Sequence, residues 1–133
     1  MPTFDAQLIG RTEKALNAIL DRLLAGPGLT EHQWIALTLT VNGRGSIADA
    51  LHVDAATQRR LLAELAAAGL VRLGADGSAE ATDRGRETWR EVRAAVLEVT
   101  QRLWGDVPEA DLATAGRVLD TVLHRATALL PAA

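Results

Sequence analysis

Apolar residues recur every three or four positions in three long segments of the chain, residues 4–25, 83–104 and 109–130. This is the period of an α-helix with one buried face, so each segment is predicted to be an amphipathic helix. The first and last helices carry wide apolar stripes, and each stripe needs a partner helix from the same chain or from a second one. The stripes are formed by Phe4, Leu8, Ala15, Leu16, Ile19, Leu20 and Leu23 in the first helix, by Trp89, Val92, Val96, Val99 and Leu103 in the middle one, and by Leu112, Ala115, Val118, Leu119, Val122, Leu123, Ala126 and Leu129 in the last.

Glycine, proline and capping residues delimit a further helix after the first. Gly26-Pro27-Gly28 ends the first helix, because these residues do not continue helical structure. Thr30 is a predicted N-cap for the second helix, and Gln33 three residues later makes a near capping box. Trp34 and the aliphatic residues after it are predicted to be mostly buried, and Asn42-Gly43-Arg44-Gly45 ends the helix.

The segment from Ser46 to Val71 predicts two helices joined by a tight turn. The first helix is short, residues 47–52, and the second spans residues 55–68. Asp54 is a good N-cap because its carboxylate can accept a hydrogen bond from the first helical turn. Gly69 can adopt the left-handed conformation that ends a helix. Two helices joined in this way are typical of a helix-turn-helix, whose second helix can enter the major groove of DNA.

The second helix of this pair has two distinct faces. Leu61, Leu62 and Leu65 lie on one side, which is predicted to be buried. The opposite side carries arginines beside small residues that permit close approach to bases and phosphates: Ala56, Arg59, Arg60, Ala63 and Ala67. Taken alone, this pattern is equally typical of a core helix with two solvated arginines.

A short β-hairpin is predicted directly after the helix-turn-helix. Residues 70–73 and 79–82 form the strands, and Asp76-Gly77 suits the positive φ angles of a tight turn. A hairpin in this place is a wing. Few residues of the returning strand are apolar, so the wing is predicted to be small and mobile.

Composition and charge limit the function further. The chain has 133 residues, a net charge of −3 and a pI near 5.6, so it lacks the overall basic character of many nucleic-acid-binding proteins. Between Arg44 and Arg90, seven arginines are matched by seven acidic residues, and DNA contact therefore requires that folding separates the two sets. The alanine- and leucine-rich composition favours a helical fold of one domain.

Several classes of site are not expected. The absence of cysteine excludes disulfides, thiol chemistry and cysteine-ligated zinc, and the three histidines show no metal-ligand spacing. No nucleophile elbow, phosphate-binding loop or paired-carboxylate motif indicates an enzyme. The N-terminal residues lack the apolar core of a signal peptide, and no segment has membrane-spanning length, so we expect a cytoplasmic protein without a cofactor.

The order and lengths of these elements resemble the MarR family of winged-helix transcription regulators over essentially the whole chain. Leu29-Thr30 with Gln33-Trp34 resembles the opening of the family's second helix, and Thr82-Asp83-Arg84-Gly85-Arg86 resembles the segment after the wing. Residues 54–71 align without gaps on the family's recognition-helix pattern, which this chain matches at Asp54, Thr57, Arg60, Leu61, Leu65, Gly69, Leu70 and Val71.

The resemblance implies a mainly α fold with a small β-hairpin wing. It places the winged helix-turn-helix at about residues 29–86 and dimerisation helices at about 4–25 and 87–130. A homodimer of this kind presents two recognition helices to a pseudo-palindromic operator in double-stranded DNA.

The resemblance also implies which residues contact DNA, and Arg59 and Arg60 are the strongest candidates. Thr57 suits a phosphate contact or a local cap, and Ser46 suits a helix cap better than a phosphate contact. Arg72 at the base of the wing, and Arg84 and Arg86 after it, are each as typical of an ordinary surface residue as of a contact with the DNA backbone. The full set of expected DNA contacts is Ser46, Ala55, Ala56, Thr57, Arg59, Arg60, Arg72, Arg84 and Arg86.

The chain departs from the family pattern in three places. The wing tip contains no basic residue, where the family carries an arginine for the minor groove. Gln58 replaces an apolar core residue and is predicted to point inward, where its amide needs hydrogen-bond partners. Ala56 replaces a serine. These differences predict weaker or differently distributed DNA contacts.

Members of this family often bind small aromatic or phenolic anions in a crevice beside the winged-helix lobe. The residues here that correspond to such a crevice are Leu16, Leu20, Trp34, Trp89 and Arg93, although tryptophan on an apolar face is more often a core residue. The sequence thus predicts a ligand-responsive repressor that binds DNA as a homodimer. The alternative is a winged-helix dimer with weakened DNA binding that acts as a small-molecule sensor or protein-interaction module.

Overall fold

The protein is mainly helical, with one two-stranded antiparallel sheet. The computed structural model describes residues 2–43 and 46–131. Its elements in chain order are α1 (Ala6–Ala25), α2 (Glu31–Asn42), α3 (Ile47–Leu51), α4 (Ala55–Ala67), β1 (Val71–Leu73), β2 (Ala79–Ala81), α5 (Asp83–Trp104) and α6 (Glu109–Leu129). The predicted mainly α fold with a hairpin wing is confirmed. The chain divides into two compact units, Met1–Val96 and Leu97–Ala133.

Side chains satisfy the free amides at the starts of the first four helices. In α1, Asp5 accepts from the Leu8 amide at 2.8 Å. In α2, Thr30 accepts from the Gln33 amide at 3.1 Å, and the Gln33 side chain accepts from the Thr30 amide at 3.0 Å, which completes the predicted capping box. Gly43 ends α2 at φ 64°. The predicted turn continues through Arg44 and Gly45, which lie outside the described residues.

The core of the first unit lies between α2, α3, α4 and the hairpin. Leu37 and Leu65 are fully buried or nearly so, and they pack in a cluster with Ile47, Leu61, Leu62, Leu70 and Val71. Burial of one such leucine contributes about 1.5–3 kcal/mol of transfer free energy, so this cluster dominates the stability of the unit. Leu24 of α1 is also fully buried.

The hairpin is as short as its sequence predicts. Val71 pairs with Ala81, Arg72 with Glu80 and Leu73 with Ala79. The Gly74 amide donates to the Ser78 carbonyl oxygen at 2.8 Å, and Gly77 adopts a φ of 84° at the tip. The short strands leave the wing with few residues for contact with a partner.

A close backbone contact joins the end of α4 to the start of α5. The Thr82 hydroxyl donates to the Gly69 carbonyl oxygen at 2.7 Å and accepts from the Gly85 amide at 3.0 Å. Gly85 is buried, and a Cβ atom placed on it would overlap the Leu70 carbonyl group. The glycine therefore allows α5 to approach the backbone at the base of the wing.

The apolar side chains of the second unit are largely exposed in the single chain. No described residue of α6 is buried, and Leu119 and Leu123 are 47% and 59% exposed. Leu103 of α5, which the sequence predicted to be buried, is 43% exposed. Among the described residues, no helix has both the length and the apolar character needed to cross a membrane.

Candidate nucleic-acid interface

The turn between α3 and α4 fixes the geometry of the helix-turn-helix. His52 ends α3 in the left-handed region at φ 54°, and the Val53 amide donates to the Ala48 carbonyl oxygen at 3.0 Å. Asp54 then begins α4 by accepting from the Thr57 amide at 2.8 Å. The two helices are thus joined by a turn whose backbone groups are bonded locally.

Gln58 provides a second link between the two helices. Its side-chain oxygen accepts from the Ala48 amide at 2.9 Å, so it satisfies a free donor in the first turn of α3. Gln58 is half-buried rather than buried, and the predicted need of its amide for a hydrogen-bond partner is met by this bond. The hydrogen bond from the Ala48 amide to the Gln58 side chain therefore fixes the position of α4 relative to α3. An apolar side chain at position 58 would contribute packing alone.

The two faces of α4 differ as predicted. Leu61, Leu62 and Leu65 are buried, with exposures of 4%, 8% and 1%. Ala55, Ala56, Arg59 and Arg60 are all exposed on the other side. Because the alanines are small, two guanidinium groups stand on a face that another molecule can approach closely.

The two arginines differ in their surroundings. Arg60 Nε lies 3.6 Å from a Glu64 carboxylate oxygen, one helical turn away. Arg59 forms no ion pair with another described residue. The pKa of Asp54 is lowered, first by its hydrogen bonds from Thr57 and then by the positive charges of Arg59 and Arg60. Arg59 therefore lacks the close ion pair that Arg60 has, although both lie near the Asp54 carboxylate.

Ser46 and Thr57 lie at the starts of α3 and α4. The Ser46 hydroxyl accepts from the Asp49 amide at 3.3 Å, which is the capping role favoured by the sequence. Thr57 is half-buried, and its backbone amide is bound by Asp54.

The three arginines around the wing are not gathered at its tip. Arg72 lies 3.8 Å from Glu80 on the opposite strand, and Arg86 lies 3.8 Å from Asp83. Arg84 is exposed and approaches the turn at Gly69. Exposed ion pairs contribute little stability, so these side chains can exchange an acidic partner for a phosphate at small cost.

The structure brings three of the five predicted ligand-binding residues together. The rings of Trp34 and Trp89 are stacked with centroids 6.4 Å apart, and the Arg93 guanidinium lies 5.3 Å from the centre of the Trp89 ring. Trp89 Nε1 donates to the Thr38 hydroxyl at 3.1 Å. Leu16 and Leu20 lie one turn apart on α1, Leu16 37% exposed and Leu20 half-buried.

A cavity of about 490 Å³ is an element of the site that the sequence analysis did not identify. It is lined by the end of α1, the loop before α2, and residues of α2, α4 and α5, including Gln33, Glu64, Arg84 and Glu91. A cavity depends on how separate helices pack, which the spacing of residues along the chain does not determine.

Comparison with known proteins identifies the fold. No family model and no curated protein matches the sequence. Among solved structures, a MarR-family regulator from Rhodococcus sp. RHA1 matches with a TM-score of 0.76 and 20% identity over 90% of this chain and 97% of that one. CouR from Rhodococcus jostii RHA1, bound to p-coumaroyl-CoA, matches with a TM-score of 0.74 and 20% identity over 86% and 88%. A Mycobacterium tuberculosis MarR-family protein in complex with p-aminosalicylic acid matches with a TM-score of 0.69 and 22% identity over 92% and 98%. The chain therefore has the winged-helix fold of MarR-family regulators.

Proposed function

We propose that the protein is a DNA-binding transcription regulator of the MarR family, acting as a ligand-responsive repressor rather than as an enzyme. The observation that carries the proposal is the exposed face of α4, where Arg59 and Arg60 stand beside Ala55 and Ala56 while the opposite face is packed in the core. In a helix-turn-helix this face enters the major groove, with arginines bonding to guanine edges or phosphates. Such a regulator acts in the cytoplasm, where it meets the DNA.

The proposal includes a homodimer formed through the first and last helices. Both helices carry large apolar side chains that the single chain leaves exposed, among them Leu8 at 38%, Leu119 at 47% and Leu123 at 59%. Apolar surface of this extent is stabilised when a second copy covers it. A two-fold dimer places its recognition helices about 34–36 Å apart, which requires a pseudo-palindromic operator.

The proposed effector is a small aromatic or phenolic anion bound at Trp34, Trp89 and Arg93. The stacked rings offer an apolar surface, and Arg93 offers a positive charge beside it. Structural neighbours were solved with p-coumaroyl-CoA and p-aminosalicylic acid, which are aromatic and carry anionic groups. An effector that binds one dimer conformation better than the other changes operator affinity by that difference.

A second function is favoured by the acidic side chains that lie beside the arginines, because their negative charges repel phosphates even when the ion pairs exchange. Arg60, Arg72 and Arg86 each have an acidic side chain within 3.8 Å, and the wing tip presents Asp76 rather than a basic residue. A winged-helix dimer with weakened DNA affinity would act as a sensor or interaction module.

Fluorescence anisotropy separates the two functions. The purified protein is titrated against labelled DNA from upstream of its own gene and from a fragment library of its genome, with random-sequence DNA as control. A regulator binds at least one fragment far more tightly than random DNA, and its affinity falls steeply as salt rises. Equal, weak binding to every fragment would contradict the regulator and favour the sensor or interaction module.

A further inference from the structure

The two arginines of α4 lie at unequal distances from the centre of its exposed face. With a rotation of about 100° per residue, the direction opposite to the three buried leucines runs along Ala56 and Ala63. Arg60 lies about 35° to one side of this direction, and Arg59 lies about 65° to the other side. A helix in the major groove directs the centre of its exposed face to the base edges and its margins to the phosphates. Arg60 is therefore the better placed of the two for a base.

Arg60 is also held by a series of polar contacts that begins in α2. The Thr30 amide donates to Gln33 Oε1 at 3.0 Å, which leaves Gln33 Nε2 to donate to Glu64 Oε2, also at 3.0 Å. The second carboxylate oxygen, Glu64 Oε1, lies 3.6 Å from Arg60 Nε. Each of these side chains is therefore restrained by the one before it, from the N-cap of α2 to the exposed face of α4.

This ion pair differs from an isolated pair on a helix surface. An isolated pair contributes little, because both long side chains lose rotamer freedom when they meet. The bond from Gln33 already restricts Glu64, so less freedom is lost when Arg60 joins it. Arg59 forms no ion pair with another described residue and therefore lacks this restraint.

The contact with Glu64 leaves the outer edge of the Arg60 guanidinium available. Glu64 approaches Nε, on the inner edge, and the Arg60 side chain is 70% exposed. Arginine recognises guanine through two parallel hydrogen bonds, to O6 and N7, which its two Nη atoms can donate. Such a pair of bonds requires a fixed orientation of the guanidinium plane, and a carboxylate at Nε provides it.

We infer that Arg60 recognises a guanine in each half-site of the operator, and that Glu64, held by Gln33, is the positioning residue for this contact. Arg59 binds a phosphate instead. The inference deepens the proposed function and rests on it, since it assigns base recognition to one of the two arginines.

Selection from a random-sequence DNA library identifies the bases that the protein requires. The wild type should select guanine at two symmetry-related positions, and Arg60→Ala should lose the preference at these positions alone. Arg59→Ala is the matched control, because it removes the same charge from the same face; it should weaken binding to all sequences alike and retain the guanines. Retention of every guanine preference by Arg60→Ala would overturn the assignment.

Substitution of the selected guanine by 7-deazaguanine tests the contact with N7. This base lacks the N7 acceptor but keeps its pairing with cytosine. In anisotropy titrations, 7-deazaguanine in one half-site should weaken wild-type binding about fivefold or more, whereas Arg60→Ala should bind the two DNAs equally. Equal affinity of the wild type for the two DNAs would also overturn the assignment.

Glu64→Ala tests the positioning role. Loss of an acidic side chain beside the DNA should strengthen binding to random-sequence DNA. The affinity ratio of guanine to adenine at the selected position should nevertheless fall about threefold or more, because Arg60 loses its restraint. A carboxylate that only repelled phosphates would leave this ratio unchanged, and an unchanged ratio would refute the positioning role.

Gln33→Glu breaks the link to Glu64 and keeps the start of α2, because glutamate also completes a capping box with Thr30. Its carboxylate repels that of Glu64, so the guanine-to-adenine ratio should fall as it does in Glu64→Ala. His32→Glu is the matched control, since it adds a negative charge at the exposed neighbouring position. An equal fall in both variants, or no fall in Gln33→Glu, would refute the role of Gln33.

NMR relaxation of the arginine side chains tests the restraint without DNA. In the wild type, the Nε–H group of Arg60 should have a higher order parameter than that of Arg59, and Gln33→Glu should remove the difference. Equal order parameters in the wild type would refute the restraint. Absence of sequence-selective DNA binding by a wild type with an ordered Arg60 would refute the proposed function and the guanine contact with it, but not the restraint.

Discussion

Replacement of Gly85 by alanine tests the contact that holds α5 against the base of the wing. The added methyl group would overlap the Leu70 carbonyl group, and relief of the overlap requires a backbone displacement of about 1.5 Å. The displacement acts on a carbonyl oxygen that accepts from the Thr82 amide at 3.0 Å, and on Leu70, which is 5% exposed in the core.

The expected loss of stability follows from three contributions. Overpacking of a rigid contact costs about 3 kcal/mol at the upper end of its usual range. Weakening of the Thr82–Leu70 hydrogen bond costs about 1 kcal/mol. Alanine in the first turn of α5 regains at most about 1 kcal/mol relative to glycine. We therefore expect Gly85→Ala to lower the free energy of unfolding by about 3 kcal/mol, which corresponds to a fall in Tm of about 10 °C.

Urea and thermal denaturation followed by circular dichroism measure this change. Gly10→Ala is the matched control, because a Cβ at Gly10 of α1 has no neighbour within 4 Å. The control should be neutral or stabilising by about 0.5–1 kcal/mol. If Gly85→Ala were as stable as the control, the close approach of α5 to Leu70 would be wrong.

Three further predictions concern a cap, an interhelical bond and the proposed dimer. Asp54→Ala should lower the stability of the protein in urea denaturation through loss of the α4 cap, whereas Asp54→Asn should retain most of the stability that the cap provides. Folding lowers the pKa of Asp54. The charge of Asp54 therefore contributes fully to the stability of the protein above about pH 4, and this contribution is lost as the pH falls through the lower pKa of the folded state. Acid titration of the free energy of unfolding should show this loss in the wild type and not in Asp54→Asn. Gln58→Leu should cost about 1–3 kcal/mol in urea denaturation, because it leaves the Ala48 amide without its acceptor; an unchanged midpoint would show that this bond contributes nothing. Leu123→Glu, at a side chain that is 59% exposed in the single chain, should yield folded monomers in analytical ultracentrifugation, and a persistent dimer would place the interface elsewhere.

Features determined by neighbouring residues could be predicted from the sequence. Thr30 with Gln33, Asp54 with Thr57, and Gly69 act over three or four residues, and their capping geometry depends only on local backbone conformation. Helical periodicity likewise placed Leu61, Leu62 and Leu65 on the buried face of α4.

Features that join distant segments could be predicted only in part. Gln58 was predicted to need a partner, but the Ala48 amide became identifiable only in the folded chain. The bond from Gln33 to Glu64 spans 31 positions, and the cavity beside it depends on the packing of α1, α2, α4 and α5. Leu103 was predicted to be buried but is exposed in the single chain. An apolar period does not distinguish a core within one chain from a surface that a second chain covers.

The central claim is that the exposed face of α4 binds DNA, and the double variant Arg59→Ala/Arg60→Ala tests it most directly. The matched control is Arg11→Ala/Arg22→Ala, which removes the same charge from exposed positions on α1. Anisotropy titrations on the fragment with the highest affinity should show loss of sequence-selective binding in the Arg59/Arg60 variant. The salt slope should be lower by about 3.6 if both arginines of each subunit in the dimer contact phosphate, and by about 1.8 if Arg59 alone does. The control should retain both the selectivity and most of the slope. Equal affinity and equal slope in wild type and the Arg59/Arg60 variant would contradict the assignment of α4 as the recognition helix.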